Sequence, residues 1–249
     1  MTYVSLILIG FAIGLFVLST GGGGAALYIG VLTSVFHLSA PVAAATSLFT
    51  AFPSLCVGAF GHYKAGNIRF KIGNQMLLSA IPATIVGALV SRFIPKDVYT
   101  WIVAIILIVL GIQILYSRFF GKQKTNMKTA HAGLKTAFFG IVSGLMVGIA
   151  GLSGGGPVIA GLLVMNLDMV RAAATSSYIL VGTTGVGLLF HLSTGNIDWK
   201  IGVSLMIGAI AGGLLAPKIL SKLDPIKFNS YVKPFIGVLL LVMGLRMVV

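Results

Sequence analysis

The chain has 249 residues, 57% of them hydrophobic and only 8% charged, with a mean hydropathy of +1.07. A water-soluble domain needs a more polar surface than this, so the composition describes a helical membrane bundle. The net charge of +13, from 17 basic and 4 acidic residues, would suggest nucleic acid in a soluble protein. Here the basic residues fall mostly in short loops between apolar segments, where they set topology and meet lipid headgroups, and no nucleic-acid partner is expected.

In chain order, the first apolar segment covers 3–20 and follows an uncharged Met1-Thr2-Tyr3. With no basic stretch before it, it reads as a membrane segment rather than a cleaved signal. It runs into Gly21-Gly22-Gly23-Gly24, and segments over 25–36, 41–62, 74–93 and 98–117 follow. A basic linker, 118–133, leads to a second series over 134–151, 157–167, 172–192, 203–219 and 231–249.

The two series are copies. Ala43-Ala44-Ala45-Thr46-Ser47 recurs as Ala172-Ala173-Ala174-Thr175-Ser176, 129 positions on, and the same offset carries His62 to His191 and Gly66-Asn67-Ile68 to Gly195-Asn196-Ile197. The Gly21–Gly24 cluster corresponds to Gly154-Gly155-Gly156. The sequence therefore divides into an N-terminal repeat, 1–117, and a C-terminal repeat, 134–249, on either side of the linker.

The second segment of each repeat is short. Its 11 or 12 residues reach roughly 16 to 18 Å, against a hydrocarbon core of about 30 Å. A hairpin that turns at the glycines and returns through a half-helix accounts for this, leaves three net crossings per repeat, and inverts the second repeat relative to the first. Placing the linker in the cytoplasm puts 13 basic residues inside and leaves four outside, Arg92, Lys96, Lys200 and Arg246. A parallel arrangement would give 10 against 7, so the positive-inside rule favours inverted repeats with both termini outside a cytoplasmic (inner) membrane.

Irregular backbone at membrane depth is tolerated where it is buried or lines a cavity. A glycine turn feeding a half-helix presents free N–H groups at the positive end of a helix dipole, which suits an anion. Pro157, directly after Gly156, fits the first helical position. Hydroxyls close in sequence, those of Ser19, Thr20, Thr46, Ser47, Ser153, Thr175 and Ser176, can donate to oxyanion oxygens. The competing reading has the glycines serving helix packing and the hydroxyls bonding their own backbone.

There is no Glu, and Asp97, Asp168, Asp198 and Asp224 all lie in loops or at segment ends. Cation carriers need intramembrane carboxylates, so an anionic or neutral substrate is favoured, with no metal and no cofactor. His62 and His191 are either proton-coupling groups or interfacial side chains. The single cysteine, Cys56, excludes disulfides within the chain.

A glycine-rich turn followed by an Ala-Thr-Ser segment, repeated at 21–47 and 151–176 in two hydrophobic halves, resembles the TauE/SafE sulfite exporter family, also called the toluene sulfonate uptake permease family. The family pattern has a proline a few residues after the glycines. Here the first copy lacks it and the second has it immediately after them. The resemblance implies a permease for sulfite, organosulfonates or related sulfur oxyanions, and is compatible with a homo-oligomer. Two other readings stay open. Paired half-helices also build passive channels, and Gly151-Leu152-Ser153-Gly154 with His191 matches the pattern of a rhomboid-like intramembrane serine protease, an enzyme reading that the repeat makes unnecessary.

Overall fold

A computed structural model describes residues 3–20, 24–120, 132–194, 197–220 and 225–248. The described residues form ten helices: α1 (Tyr3–Thr20), α2 (Ala25–Ser34), α3 (Ala40–Lys64), α4 (Phe70–Ser91), α5 (Lys96–Phe120), α6 (Ala132–Ala150), α7 (Gly155–Val164), α8 (Met169–Thr194), α9 (Trp199–Leu220) and α10 (Pro225–Arg246). Five of them, α3, α4, α5, α6 and α8, are long and apolar enough to cross a membrane over their described residues. Large apolar side chains such as Leu78 and Phe93 point outward, 77% and 87% exposed, which suits lipid and not water. The protein is a multi-pass helical membrane protein.

The elements follow the sequence segments, with shifted ends. Helices α4 and α9 start four residues before the expected 74 and 203, so Lys71 and Lys200 stand in first turns rather than loops. Long basic side chains reach water from a membrane edge without ending the helix. The expected linker is narrower than 118–133, because α5 extends to Phe120 and α6 begins at Ala132; residues 121–131 lie outside the described ones. Two of the acids cap helices, and Asp224 lies outside the described residues. Asp168 Oδ1 accepts from the Arg171 N–H at 3.0 Å, and Asp198 Oδ1 from the Ile201 N–H at 3.0 Å. That bond, with the nearby Arg171 guanidinium, holds the exposed Asp168 carboxyl below its usual range.

Helix packing is set by small residues. A Cβ built on Gly14 would come within 2.6 Å of Ala209 Cα, and one on Gly212 within 2.8 Å of Leu15 N, so α1 and α9 touch backbone to backbone and run parallel. On the other side a Cβ on Gly144 would lie 2.9 Å from Ala83 Cβ, and one on Gly148 2.7 Å from Ala88 N, which makes α4 and α6 a second parallel pair. Four-residue spacing of small residues permits this approach. Between the pairs α3 and α8 run antiparallel, with Gly185 against Phe52 and Gly187 against Leu48; α5 and α10 run antiparallel as well, with Gly111 against Gly237 and Gly244 against Ala104. Exchanging the halves by the repeat offset turns the α1–α9 pair into α6–α4 and leaves α3–α8 and α5–α10 paired with themselves. The offset also holds in backbone conformation: His37 (φ +52°) and Asn166 (φ +61°), 129 positions apart, are both left-handed just beyond the two short helices. Asn takes this conformation more readily than most residues.

Candidate anion site at the start of the second half-helix

Helix α6 ends in a left-handed glycine, Gly151 (φ +65°), whose N–H bonds Val147 O at 3.0 Å while the next N–H reaches back from Leu152 to Met146 O at 3.3 Å. The chain then drops through Leu152 and Ser153 to Gly154 (φ +62°), the N-cap of α7. Gly154 rests on α6: a Cβ there would lie 2.7 Å from Ser143 O. Further along, a Cβ on Gly161 would lie 2.8 Å from Phe139 Cβ, and Thr136 Oγ1 donates to Met165 Sδ at 3.2 Å. Thus α7 starts beside Ser143 and descends towards the beginning of α6. Ser143 is the twelfth residue of the 19-residue α6, so α7 begins about three-fifths of the way along a helix of roughly 28 Å. The first N–H groups of α7 have no acceptor within their own helix and stand at its positive end.

Pro157 is the third residue of α7, not the first. Helix starts two residues earlier than expected because a proline is tolerated anywhere in a first turn, where its missing N–H has no intrahelical partner. In the first half Gly24 caps α2 with φ −50° and accepts from the Leu27 and Tyr28 N–H groups at 2.9 and 3.1 Å. It is not left-handed like Gly154, so the two tips differ locally. Gly21, Gly22 and Gly23 lie outside the described residues, as do the side chains of Ser19 and Thr20. Gly155 is buried and Gly156 is exposed.

The hydroxyls of the Ala-Thr-Ser segments bond protein groups. Thr46 Oγ1 accepts the Asp198 N–H at 3.1 Å, and Thr175 Oγ1, its repeat equivalent, accepts the Arg69 N–H at 3.0 Å. Each tethers the segment leading into α9 or α4. Ser47 Oγ shares its one proton between Ala44 O at 2.8 Å and Gly151 O at 3.1 Å, fastening the α6–α7 turn to α3. Ser153 and Ser176 are buried. Replacing Thr46 or Thr175 by Val should strand a loop N–H at a cost of about 1–3 kcal/mol and lower the melting temperature in detergent by a similar amount in both variants. A loss of substrate affinity at unchanged stability would instead put these threonines on the substrate.

The family's sequence profile, sulfite exporter TauE/SafE, matches residues 6–247. The chain belongs to the sulfite exporter TauE/SafE family. It is similar to the probable membrane transporter protein YdhB of Bacillus subtilis, 30% identical over 95% of this chain and 98% of the relative. It is similar also to the probable membrane transporter protein MJ0441 of Methanocaldococcus jannaschii, 29% identical over 97% and 94%. A more distant similarity, 24% identical over 86% and 83%, is to a protein of Caldanaerobacter subterraneus named undecaprenyl-diphosphatase. The relatives named as transporters set the general reading of this TauE/SafE chain as a membrane transporter.

Within it the histidines are not equivalent. His191 is buried, with Nε2 3.0 Å from Gly148 O. A carbonyl only accepts, so that nitrogen carries the proton and joins α8 to α6. His62 is half-buried near the end of α3. Sequence reasoning missed two hydroxyls, Ser143 Oγ and Thr184 Oγ1. Both are fully buried and have no hydrogen-bond partner among the described residues. Neither belongs to a repeated motif: Ser143 stands between Val142 and Gly144 and Thr184 beside Thr183, and only tertiary packing marks them.

Proposed function

We propose that this TauE/SafE protein is a carrier that moves a small anion, sulfite or an organosulfonate or related sulfur oxyanion, across the cytoplasmic membrane by alternating access. The observation that carries this reading is the start of α7 partway along α6, because N–H groups without an intrahelical acceptor at that depth, at the positive end of a helix, suit an anionic ligand. The family description supplies the sulfur oxyanion. The antiparallel pairing of the repeat-equivalent helices, α3 with α8 and α5 with α10, supports an inverted second repeat, and the excess of basic residues on the linker side supports a cytoplasmic linker with both termini outside. Inverted repeats give a carrier two similar halves that can rock about a central site. His191, bonded to a helix carbonyl, is read as part of the scaffold rather than as a proton relay, and Ser153 as part of the turn rather than a nucleophile.

Proteoliposomes test the carrier. Uptake of radiolabelled sulfite should saturate and should speed up when the lumen is preloaded with unlabelled sulfite. Linear, unsaturable flux without trans-stimulation would make the protein a channel, and substrate hydrolysis without flux would make it an enzyme.

A further inference from the structure

The start of α7 carries more than a helix dipole. Ser143 Oγ, fully buried and without a hydrogen-bond partner among the described residues, stands against the N-cap Gly154. Helix α7 packs against both α6 and α8. Helix α8 brings a second such hydroxyl to the same depth: His191 meets Gly148, and a Cβ on Gly187 would lie 2.8 Å from Val147 Cγ1. Both contacts pair α8 residues with α6 residues 40 to 43 positions earlier. That register carries Thr184, also buried and unpartnered, to the level of Ser143. Buried hydroxyls are normally bonded, and a serine or threonine within a helix has a carbonyl one turn back available to it. Two at one level that use no such carbonyl, beside a helix start whose N–H groups also lack acceptors, are donors awaiting an acceptor.

We propose that Ser143 and Thr184, with the first N–H groups of α7, form a binding site built from neutral donors and selective for a singly charged oxyanion over a doubly charged one. This rests on the anion-carrier reading above and names its substrate class. Among the described residues no Lys or Arg is buried, so no full positive charge helps to desolvate the ligand there. The cost of taking an ion out of water rises with the square of its charge, whereas its attraction to fixed dipoles rises only linearly. A second negative charge therefore quadruples the penalty while doubling the reward. Hydrogensulfite and sulfonates satisfy this site; sulfate does not.

The test uses purified full-length protein in liposomes, with methanesulfonate, sulfite and sulfate as probes, each followed by flux and by thermal shift. The expected result has two parts. Wild type should favour methanesulfonate, or sulfite at acidic pH where hydrogensulfite prevails, at least tenfold over sulfate. Ser143→Ala and Thr184→Val should each lower the apparent affinity for these monoanions about tenfold or more without lowering the melting temperature, and Thr184→Ser should retain it. Both replacements remove a hydroxyl without a hydrogen-bond partner among the described residues, so folding is expected to survive. Wild-type affinity in both Ser143→Ala and Thr184→Val would overturn the proposal while leaving the carrier reading intact, as would equal handling of sulfate and methanesulfonate. No flux of any of the three by wild type would overturn the carrier reading and the proposal with it.

Discussion

Gly154→Ala is expected to destabilise the fold of the protein as well as impair its transport. Two costs fall on the same atom. At φ +62° an added Cβ strains the backbone by about 1–2 kcal/mol. That Cβ would also lie 2.7 Å from Ser143 O and 3.1 Å from Ser143 Cα, and these are backbone atoms of a packed helix that cannot rotate away. Relieving the clash means pushing α7 off α6, an overpacking cost of about 1–3 kcal/mol. Gly151→Ala meets the same pair of problems, with φ +65° and a Cβ 2.7 Å from Ala44 Cα. A combined loss of about 2–5 kcal/mol is a large share of the usual stability of a folded domain and lowers the melting temperature by about 4–20 °C. Size-exclusion chromatography and thermal unfolding in detergent read this directly. Parent-like melting of Gly154→Ala would mean that the turn is not left-handed at that residue.

What was legible in the sequence was whatever depends on local chemistry. Apolar runs bounded by charge gave all ten helices, and length alone picked out α2 and α7 as half-helices. Asp97, Asp168 and Asp198 stand at helix starts, as their absence from the apolar runs implies, and Asp224 lies outside the described residues; a carboxylate at a helix start satisfies N–H groups and avoids the bilayer core. Long-range partners are not legible in the same way. Thr46 and Thr175 sit beside the repeated alanines. Their partners, Asp198 and Arg69, lie 152 and 106 residues away in the chain, and no local pattern reveals such a contact. Ser143 illustrates the converse. It belongs to no repeated motif, yet the descent from Gly151 to Gly154 brings the α7 N-cap onto it. The four-residue spacing of Gly140, Gly144 and Gly148 can be read from the sequence, but that the partner face is Met76 to Ala88 of α4 cannot.

Gly156→Ala is expected to act differently from Gly154→Ala: to keep or improve the fold and to impair the carrier. Gly156 is the second residue of α7 and is exposed. A Cβ there would meet only Leu110 Cδ2, at 3.6 Å, an ordinary contact. Alanine is also the better helix former, by about 1 kcal/mol, so the melting temperature should hold or rise by a few degrees. The added methyl nevertheless stands in the first turn, beside the N–H groups assigned to the anion. If it costs the ligand one charge-assisted hydrogen bond, about 1.5–3 kcal/mol is lost, which is roughly ten- to a hundredfold in apparent affinity for sulfite or methanesulfonate. Gly187→Ala is the control. Its Cβ would press on the buried, β-branched Val147 at Cγ1, 2.8 Å away, and touch Leu48 Cδ1 at 3.5 Å in the α3–α6–α8 packing, so stability should fall while affinity stays with the parent. Folded Gly156→Ala protein that takes up anions with parental affinity would move the binding site away from the start of α7.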